Sequence, residues 1–587
     1  MSGASLKRRF AALTDLYRAG RHEEAGRVIL DALAFFRANT PTDQRAAGDI
    51  AGILKAALGV FVQPDFCVPA EQAPRFLRAQ PVIANLAASG EPRTTDAYVN
   101  EILSRPVDMV KLLTLSSPRN CRRLETGPLF EASPSVASLW FATCFASAET
   151  YGDPVVHANM LALLREADAR YRLFGPEAVF PYIHGAYIDP ESEPPLKRMI
   201  NARLREHWAD TRVRNTPNRR KIAIVTGLWH GATAVYRCLR PLVDTLRGRF
   251  ELALVRLGPQ GAKADTSGFD DVRDVAFEKD GSLDVEAVTT NDFQAVFYPD
   301  AAFTPEGKYL ANLRLAPVQM AGYGHPVSTW GAEIDYFIGG AEVEIAEDAR
   351  ANYSERLVLL PGMGAHPVLP TYERTGAAHG RDEVIVNCPW SPMKLNAPLL
   401  ADLRAVAEGC RRRVRFRFFP GWVPHRDAAF LPLVRDVETQ IGADHVEVMG
   451  NLTPDAYMAA MEEGDLSIDS FPFGGYNTIT DALHLGKPVV AREGRRFQNR
   501  ASAALLRRFG MEDCIAGSAE QFVETVSRLV DDEGLRREKT QQVQGADLKE
   551  RLYGGRDYEA FRRAVEHIIE NHESLRAEDS REAIIIR

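Results

Sequence analysis

Residues 465–491 read DLSIDSFPFGGYNTITDALHLGKPVVA, and their reading decides the fold. Leu466 to Asp469 is a short apolar run of strand character, Gly474-Gly475 punctuates it, and an amphipathic stretch and a second apolar run, Lys487 to Ala491, follow. Strand, glycine turn, helix and strand in that order make one unit of a parallel α/β sheet. The spacing predicts that Asn477 caps the helix, that its first N–H groups point at an anion, and that the two glycines let backbone approach it closely.

Working outward, the same alternation recurs. KIAIVTG (221–227), ELALVRLG (251–258), QAVFYPD (294–300) and PVQMAGYG (317–324) form one series of predicted strands. EVIVNCP (383–389), VRFRFFPG (414–421), HVEVMG (445–450), DLSIDSF (465–471) and KPVVA (487–491) form a second, interleaved with helices such as 397–408 and 456–463. Two such series predict two Rossmann-like domains whose strands end on a common cleft. The absence of GxGxxG after the first strand and of GxxxxGK[ST] anywhere disfavours a dinucleotide dehydrogenase or a P-loop NTPase.

Upstream the texture is helical. Leu6 to Arg37 reads as two amphipathic helices around the turn Arg18 to Arg21, and 136–149 and 155–172 keep helical spacing. LYRAGRHEEAGRVILDAL (16–33) resembles one tetratricopeptide helix pair, with no further copies at a fixed period. The basic, proline-containing stretch Arg212 to Arg220 marks a boundary. The expected domains are therefore 1–217, all-helical; 218–378, a first Rossmann-like domain; and 379–587, a second with C-terminal helices.

Composition sets the class. With 587 residues the chain exceeds one core, and 45% hydrophobic and 26% charged residues are ordinary for globular domains. A net charge of −8 argues against a polyanion-binding surface, so no nucleic-acid partner is expected. Seven scattered cysteines without a CxxC pair fit a reducing compartment and no structural zinc. The N-terminus lacks an apolar targeting core and no stretch has membrane-spanning length, so a cytoplasmic location is expected.

Five collinear segments carry a more specific signal: RLAPVQMAGYGHPVSTWGAEIDYFIG (314–339), YSERLVLLPG (353–362), PMKLN (392–396), the run from VEVMGNLT to DSFPFGGYNTITDAL, and GKPVV followed by FQNRASAALL (497–506). Together they resemble glycosyltransferase family 41, which holds the protein O-GlcNAc transferases and the bacterial cytoplasmic N-glucosyltransferases that modify adhesins. GHP and DSFPFGG are closer to the latter. The resemblance implies an α/β chain of GT-B fold, two Rossmann-like domains preceded by an all-α N-terminal domain. It further implies an inverting, metal-independent hexosyltransferase that moves glucose from a UDP-sugar to Asn in Asn-X-Ser/Thr, with no cofactor. O-linked glucosyl or N-acetylglucosaminyl transfer to Ser/Thr is the alternative on the same fold, and a helical interaction scaffold with a degenerate transferase domain is the alternative of another class. The acceptor is expected to be a polypeptide, an adhesin among the candidates, with self-association as a further expectation.

Site residues follow from the motifs. Lys394 resembles the family's diphosphate-neutralising lysine; outside the motif it would read as a surface lysine. Asn477 and Thr478 reach phosphate oxygens at the helix N-terminus, Gly474 and Gly475 line the approach, and Ser391 adds a hydroxyl. A carboxylate repels phosphates, so Asp481 is expected to turn to the ribose hydroxyls. His230 in WHGAT and His325 in GHP fall on carboxyl-end loops, each open to a role as base when neutral or as leaving-group stabiliser when protonated. Phe471, Phe473, Tyr476 and Trp422 are secondary, as stacking groups or as core. Asp270-Asp271 and Asp531-Asp532 are expected to decorate surfaces, leaving no DxD metal site.

Overall fold

The computed structural model describes residues 10–40, 44–90, 93–146, 151–376, 379–380, 382–421, 423–554, 557–578 and 580–587. The chain divides into two compact units. The smaller comprises 1–172, 389–407 and 415–453, the larger 173–388, 408–414 and 454–587.

The smaller unit is built on helices. Helix His22–Arg37 buries Ala25, Val28, Ile29, Ala32, Leu33 and Phe36, a stripe at 3.6-residue spacing, with Glu23 and Glu24 in its first turn and Arg37 in its last. Helix Leu13–Arg18 precedes it, so the two expected helices are present, while residues before 10 lie outside the described ones. Phe61 and Phe76, with ring centroids 4.8 Å apart, belong to the core these helices share. The expected helices at 136–149 and 155–172 are found as Pro134–Cys144 and Pro154–Arg165. Arg119 and Asp436, both nearly excluded from solvent, form a two-pronged ion pair at 3.2 and 3.1 Å that ties 415–453 to the helices.

The strands of the first sheet are, in chain order, β1 Arg214–Thr226, β2 Glu251–Leu257, β3 Asp271–Phe277, β4 Leu283–Asp284, β5 Thr290–Tyr298, β6 Val318–Ala321, β7 Tyr336–Gly340 and β8 Arg356–Leu360. Those of the second are β9 Val384–Cys388, β10 Val414–Phe418, β11 Val446–Val448, β12 Leu466–Ile468, β13 Val489–Arg492 and β14 Ile515–Ala516; a last strand, β15 Ile584–Ile585, returns to the first sheet. The first sheet runs β15-β8-β7-β6-β5-β1-β2-β3-β4 and the second β11-β10-β9-β12-β13-β14. Both have doubly wound order, in which connections change direction beside the first strand of the series.

In the first sheet β1 lies between β2, with Ile222 opposite Leu252, and β5, with Ile222 opposite Ala295, all parallel. Its last six residues are buried, as expected of a strand covered on both faces. Its first half is largely exposed and meets β5 across two register shifts. The basic stretch expected to be a boundary is therefore the entry of β1, beginning at Arg214. β3 buries only Val275 and carries the charged Asp271, Arg273 and Asp274, so it has no clean apolar period to mark it as a strand.

Residues 173–208 are helical, as expected, and belong to the larger unit. Their polar side chains fasten the segment after Gly324: Tyr182 Oη donates to Thr329 O at 2.7 Å, Lys197 Nζ to Ser328 O at 2.9 Å and Asn201 Nδ2 to Thr329 O at 2.7 Å. Lys197 is wholly buried and sits 2.7 Å from Glu193, which is buried with it. Burial pushes the Glu193 carboxyl up and the Lys197 amine down, so each depends on the other. Lys197→Ala is accordingly predicted to destabilise the fold by about 3–5 kcal/mol in denaturant titration, and Lys197→Met with Glu193→Leu to recover most of that loss.

Candidate functional site

The decisive turn is organised by one carboxylate. Asp469, just past β12, accepts at Oδ1 from Ser470 N at 2.8 Å and Gly475 N at 2.7 Å, and at Oδ2 from the Ser502 hydroxyl. Ser502 Oγ also lies 2.9 Å from Gly475 O, and Gly474 N donates to Gln498 O at 2.7 Å. A Cβ on Gly474 would overlap the Asp469 carboxylate, and one on Gly475 the Thr478 hydroxyl. The close approach that requires glycine here is to the chain's own side chains.

The helix after the turn spans Asn477–His484. Tyr476, not Asn477, occupies the N-cap position, without a side-chain cap. The correction has a physical reason: the Tyr476 hydroxyl donates to Ala365 O at 3.1 Å, and the Asn477 carboxamide meets the Cys238 sulfur at 3.5 Å, so Asn477 starts the helix with its side chain turned outward. Cys238 lies on helix Ala234–Asp244, which follows the His230 loop. Thr478 is half-buried on the first turn.

Asp481 stands one turn further in. Tyr457 Oη approaches its Oδ2 at 3.4 Å. Burial pushes its carboxyl up to about 7, against the opposing pull of Tyr457 and of the Arg237 charge.

His230 is half-buried in the loop after β1, its carbonyl accepting from Thr233 N and Oγ1, both at 2.9 Å. His325 is only 3% exposed, and neither ring nitrogen has a hydrogen-bond partner among the described residues. Its ring lies 5.7 Å from Phe473, nearly parallel, and edge-on to Phe303 at 5.4 Å. Tyr187 stacks on the other neighbour of this group, Phe473, at 4.2 Å and 10°. Burial, then the charges of Lys197 and Lys308, hold His325 well below the ordinary imidazole range. Phe471 carries the Arg492 guanidinium 4.1 Å above its ring, and Trp422 lies outside the described residues.

The larger unit thus brings Asn477 to the helix behind the His230 loop and Phe473 to His325. Ser391 and Lys394 belong to the smaller unit. Lys394 ends the single turn Pro392–Lys394, half-buried, its N–H bonded to Ser391 O at 2.9 Å. The next residues are zipped to Tyr151, whose N–H donates to Leu395 O and whose carbonyl accepts from Ala397 N, both at 2.8 Å. The acidic pairs expected at surfaces are engaged locally: Asp271 binds Arg273 at 2.9 Å, and Asp532 caps helix Glu533–Gln544.

Asp469, Ser502 and Tyr187 escaped the sequence reading. The first two sit inside quoted motifs, but only the fold shows that FQNRASAALL supports the glycine turn. Among the described residues, no group of three or more His, Cys, Asp or Glu side chains is placed to hold a metal ion, and no helix is long and apolar enough to cross a membrane.

Comparison with known proteins follows this geometry. The chain is 25% identical over 469 residues to a UDP-glucose:protein N-beta-glucosyltransferase of Actinobacillus pleuropneumoniae serotype 5b, a match covering 75% of this chain and 74% of that one. It is 26% identical over 240 residues, 37% of this chain and 24% of the other, to a probable UDP-N-acetylglucosamine--peptide N-acetylglucosaminyltransferase SPINDLY of Solanum lycopersicum. Among solved structures, a Thermobaculum terrenum O-GlcNAc transferase mutant superposes with a TM-score of 0.53 at 15% identity, covering 98% of this chain and 100% of that one, a likeness of fold. No protein-family model matches the chain.

The Asp481 geometry makes a prediction with a definite sign. Its folded-state carboxyl titrates near 7, above the unfolded value, so the unfolded chain releases its proton first and stability falls as pH rises from about 4 to 7. Asp481→Asn is expected to raise the melting temperature by several degrees at pH 8 and by little near pH 4, read by thermal denaturation at both.

Proposed function

We propose that this chain, a homologue of the protein N-β-glucosyltransferases of glycosyltransferase family 41, moves glucose from UDP-glucose to the side-chain amide of Asn in Asn-X-Ser/Thr segments of proteins, with inversion and without a metal. The observation that carries the proposal is the 469–484 segment. It has an uncapped helix start at the carboxyl edge of a parallel sheet, with Asn477 and Thr478 on its first turn and Asp481 one turn in, and in this reading these residues bind the diphosphate and the ribose. The match to a protein named for UDP-glucose and protein N-glucosylation extends over three quarters of the chain and supports donor and acceptor.

In the reaction the acceptor nitrogen bonds to the anomeric carbon as the bond from that carbon to the β-phosphate oxygen breaks, and its electron pair leaves with UDP. The amide lone pair is delocalised by the resonance that stiffens a peptide, so the nucleophile is weak and leaving-group stabilisation carries much of the work. The helix dipole at Asn477 and Thr478 supplies part of that stabilisation, and the resemblance assigns the neutralising charge to Lys394. Gly474 and Gly475 let Asp469 hold the turn that presents the helix end, Ser391 adds a hydroxyl, and Asp481 accepts from the ribose. Held neutral, His325 accepts a hydrogen bond from the acceptor and does not stabilise UDP as an imidazolium. His230, on the loop beside helix Ala234–Asp244, is the second imidazole for the same task. A cytoplasmic location, an adhesin-like acceptor, self-association and the division at 217 and 378 complete the proposal.

Two experiments test it. An Asn-X-Thr peptide incubated with UDP-glucose should gain one hexose on Asn by mass spectrometry and its Gln-X-Thr counterpart none; modification of the latter at Thr, or with UDP-GlcNAc only, points to O-linked transfer, and no transfer from either donor to a non-catalytic scaffold. Lys394→Ala should lower turnover by about 100-fold or more with the melting temperature preserved; unchanged turnover removes Lys394 from the mechanism.

A further inference from the structure

Asp300 stands where the strand order of the first sheet reverses. It follows the end of β5, next to the end of β1, and is 1% exposed. Its Oδ2 accepts from the hydroxyl of Thr226, the last residue of β1, at 3.1 Å. The same hydroxyl accepts from Leu228 N at 3.0 Å. Leu228 opens the turn that carries His230, so the path runs carboxyl, hydroxyl, loop amide.

A second contact starts from the backbone of the preceding residue, Pro299. Gly324 N donates to Pro299 O at 2.7 Å, and a Cβ at 324 would come within 2.9 Å of Asp300 Cα and Cβ. The GHP turn therefore packs against the Pro299-Asp300 backbone, and its next residue is His325. Asp300 Oδ1 is buried without a hydrogen-bond partner among the described residues. An unpaired buried carboxyl oxygen costs stability, and such local costs concentrate where function imposes them.

We propose that Asp300 is a positioning residue of the transfer reaction: through Thr226 its carboxyl sets the turn bearing His230, on the chain segment that the turn bearing His325 packs against. The proposal rests on the protein glycosyltransferase reading above. Asp300 acts through its neighbours, and the donor site in the other sheet is independent of it.

The test compares kcat and KM for wild type, Asp300→Ala, Asp300→Asn, Thr226→Val and the double variant Asp300→Ala/Thr226→Val. Asp300→Ala and Thr226→Val should each lower kcat about 10- to 100-fold while KM for the UDP-sugar stays within about twofold. The double variant should be no worse than the poorer single one, because both break the same link. Asp300→Asn keeps an acceptor oxygen for Thr226 and should stay within a few-fold of wild type. An unchanged kcat in Asp300→Ala, or fully additive losses in the double variant, overturns the proposal. Histidine-labelled NMR spectra provide a readout independent of turnover: Asp300→Ala and Thr226→Val should each displace the His230 ring signal. If wild type transfers no sugar, the functional reading fails while these spectra still decide the positioning role, which is overturned if the His230 signal does not move in Asp300→Ala.

Discussion

The Asp469 carboxylate is the interaction on which the rest of the larger unit depends. One side chain takes the N–H groups of Ser470 and Gly475 and the hydroxyl of Ser502, and so bends the chain from β12 into helix Asn477–His484. Charge-assisted bonds of this kind are stronger and more directional than neutral ones. They impose their shape on both flanks: residues 474 and 475 can carry no side chain, and the helix at Ala501–Arg508 must present Ser502 at its start. Two sequence segments 27 to 33 residues apart thereby serve one turn.

From that turn the helix end meets elements of the first sheet. Tyr476 reaches Ala365, Asn477 reaches Cys238, and Phe473 lies against both Tyr187 and His325. The electrostatics of the two sheets are opposed. On the first-sheet side, burial first and then the charges of Lys197 and Lys308 hold His325 well below the ordinary imidazole range, and burial brings the Lys308 amine itself down to about 7. On the second-sheet side Asp481 is pushed up to about 7, so binding a ligand that donates hydrogen bonds to its carboxylate would relieve a cost built into the fold.

Much of this was legible in the sequence for identifiable reasons. The inner half of β1 and the strands β2, β9 and β12 are apolar runs buried on both faces, which read without ambiguity, and the strand–turn–helix order at 465–484 reads as an anion-binding pattern by local chemistry alone. What escaped reading depends on tertiary contact. Asn477 has the composition of a cap, but the Tyr476 hydroxyl bond to Ala365, 111 residues away, draws the chain one residue out of that register. The conspicuous glycines accommodate Asp469 and Thr478. β3 is a charged strand that buries only Val275, and Asp300 matters through a hydroxyl 74 residues distant, so neither leaves a local signature. The helices at 173–208 read correctly as helices, yet nothing in their periodicity announces that Lys197 and Asn201 fasten the GHP loop.

The most direct measurement is a crystal structure of the chain with UDP. The account predicts diphosphate oxygens within hydrogen-bond distance of the Asn477 and Thr478 amides and ribose hydroxyls on Asp481. UDP bound away from this helix, or with Asp481 still facing only Tyr457, would contradict it.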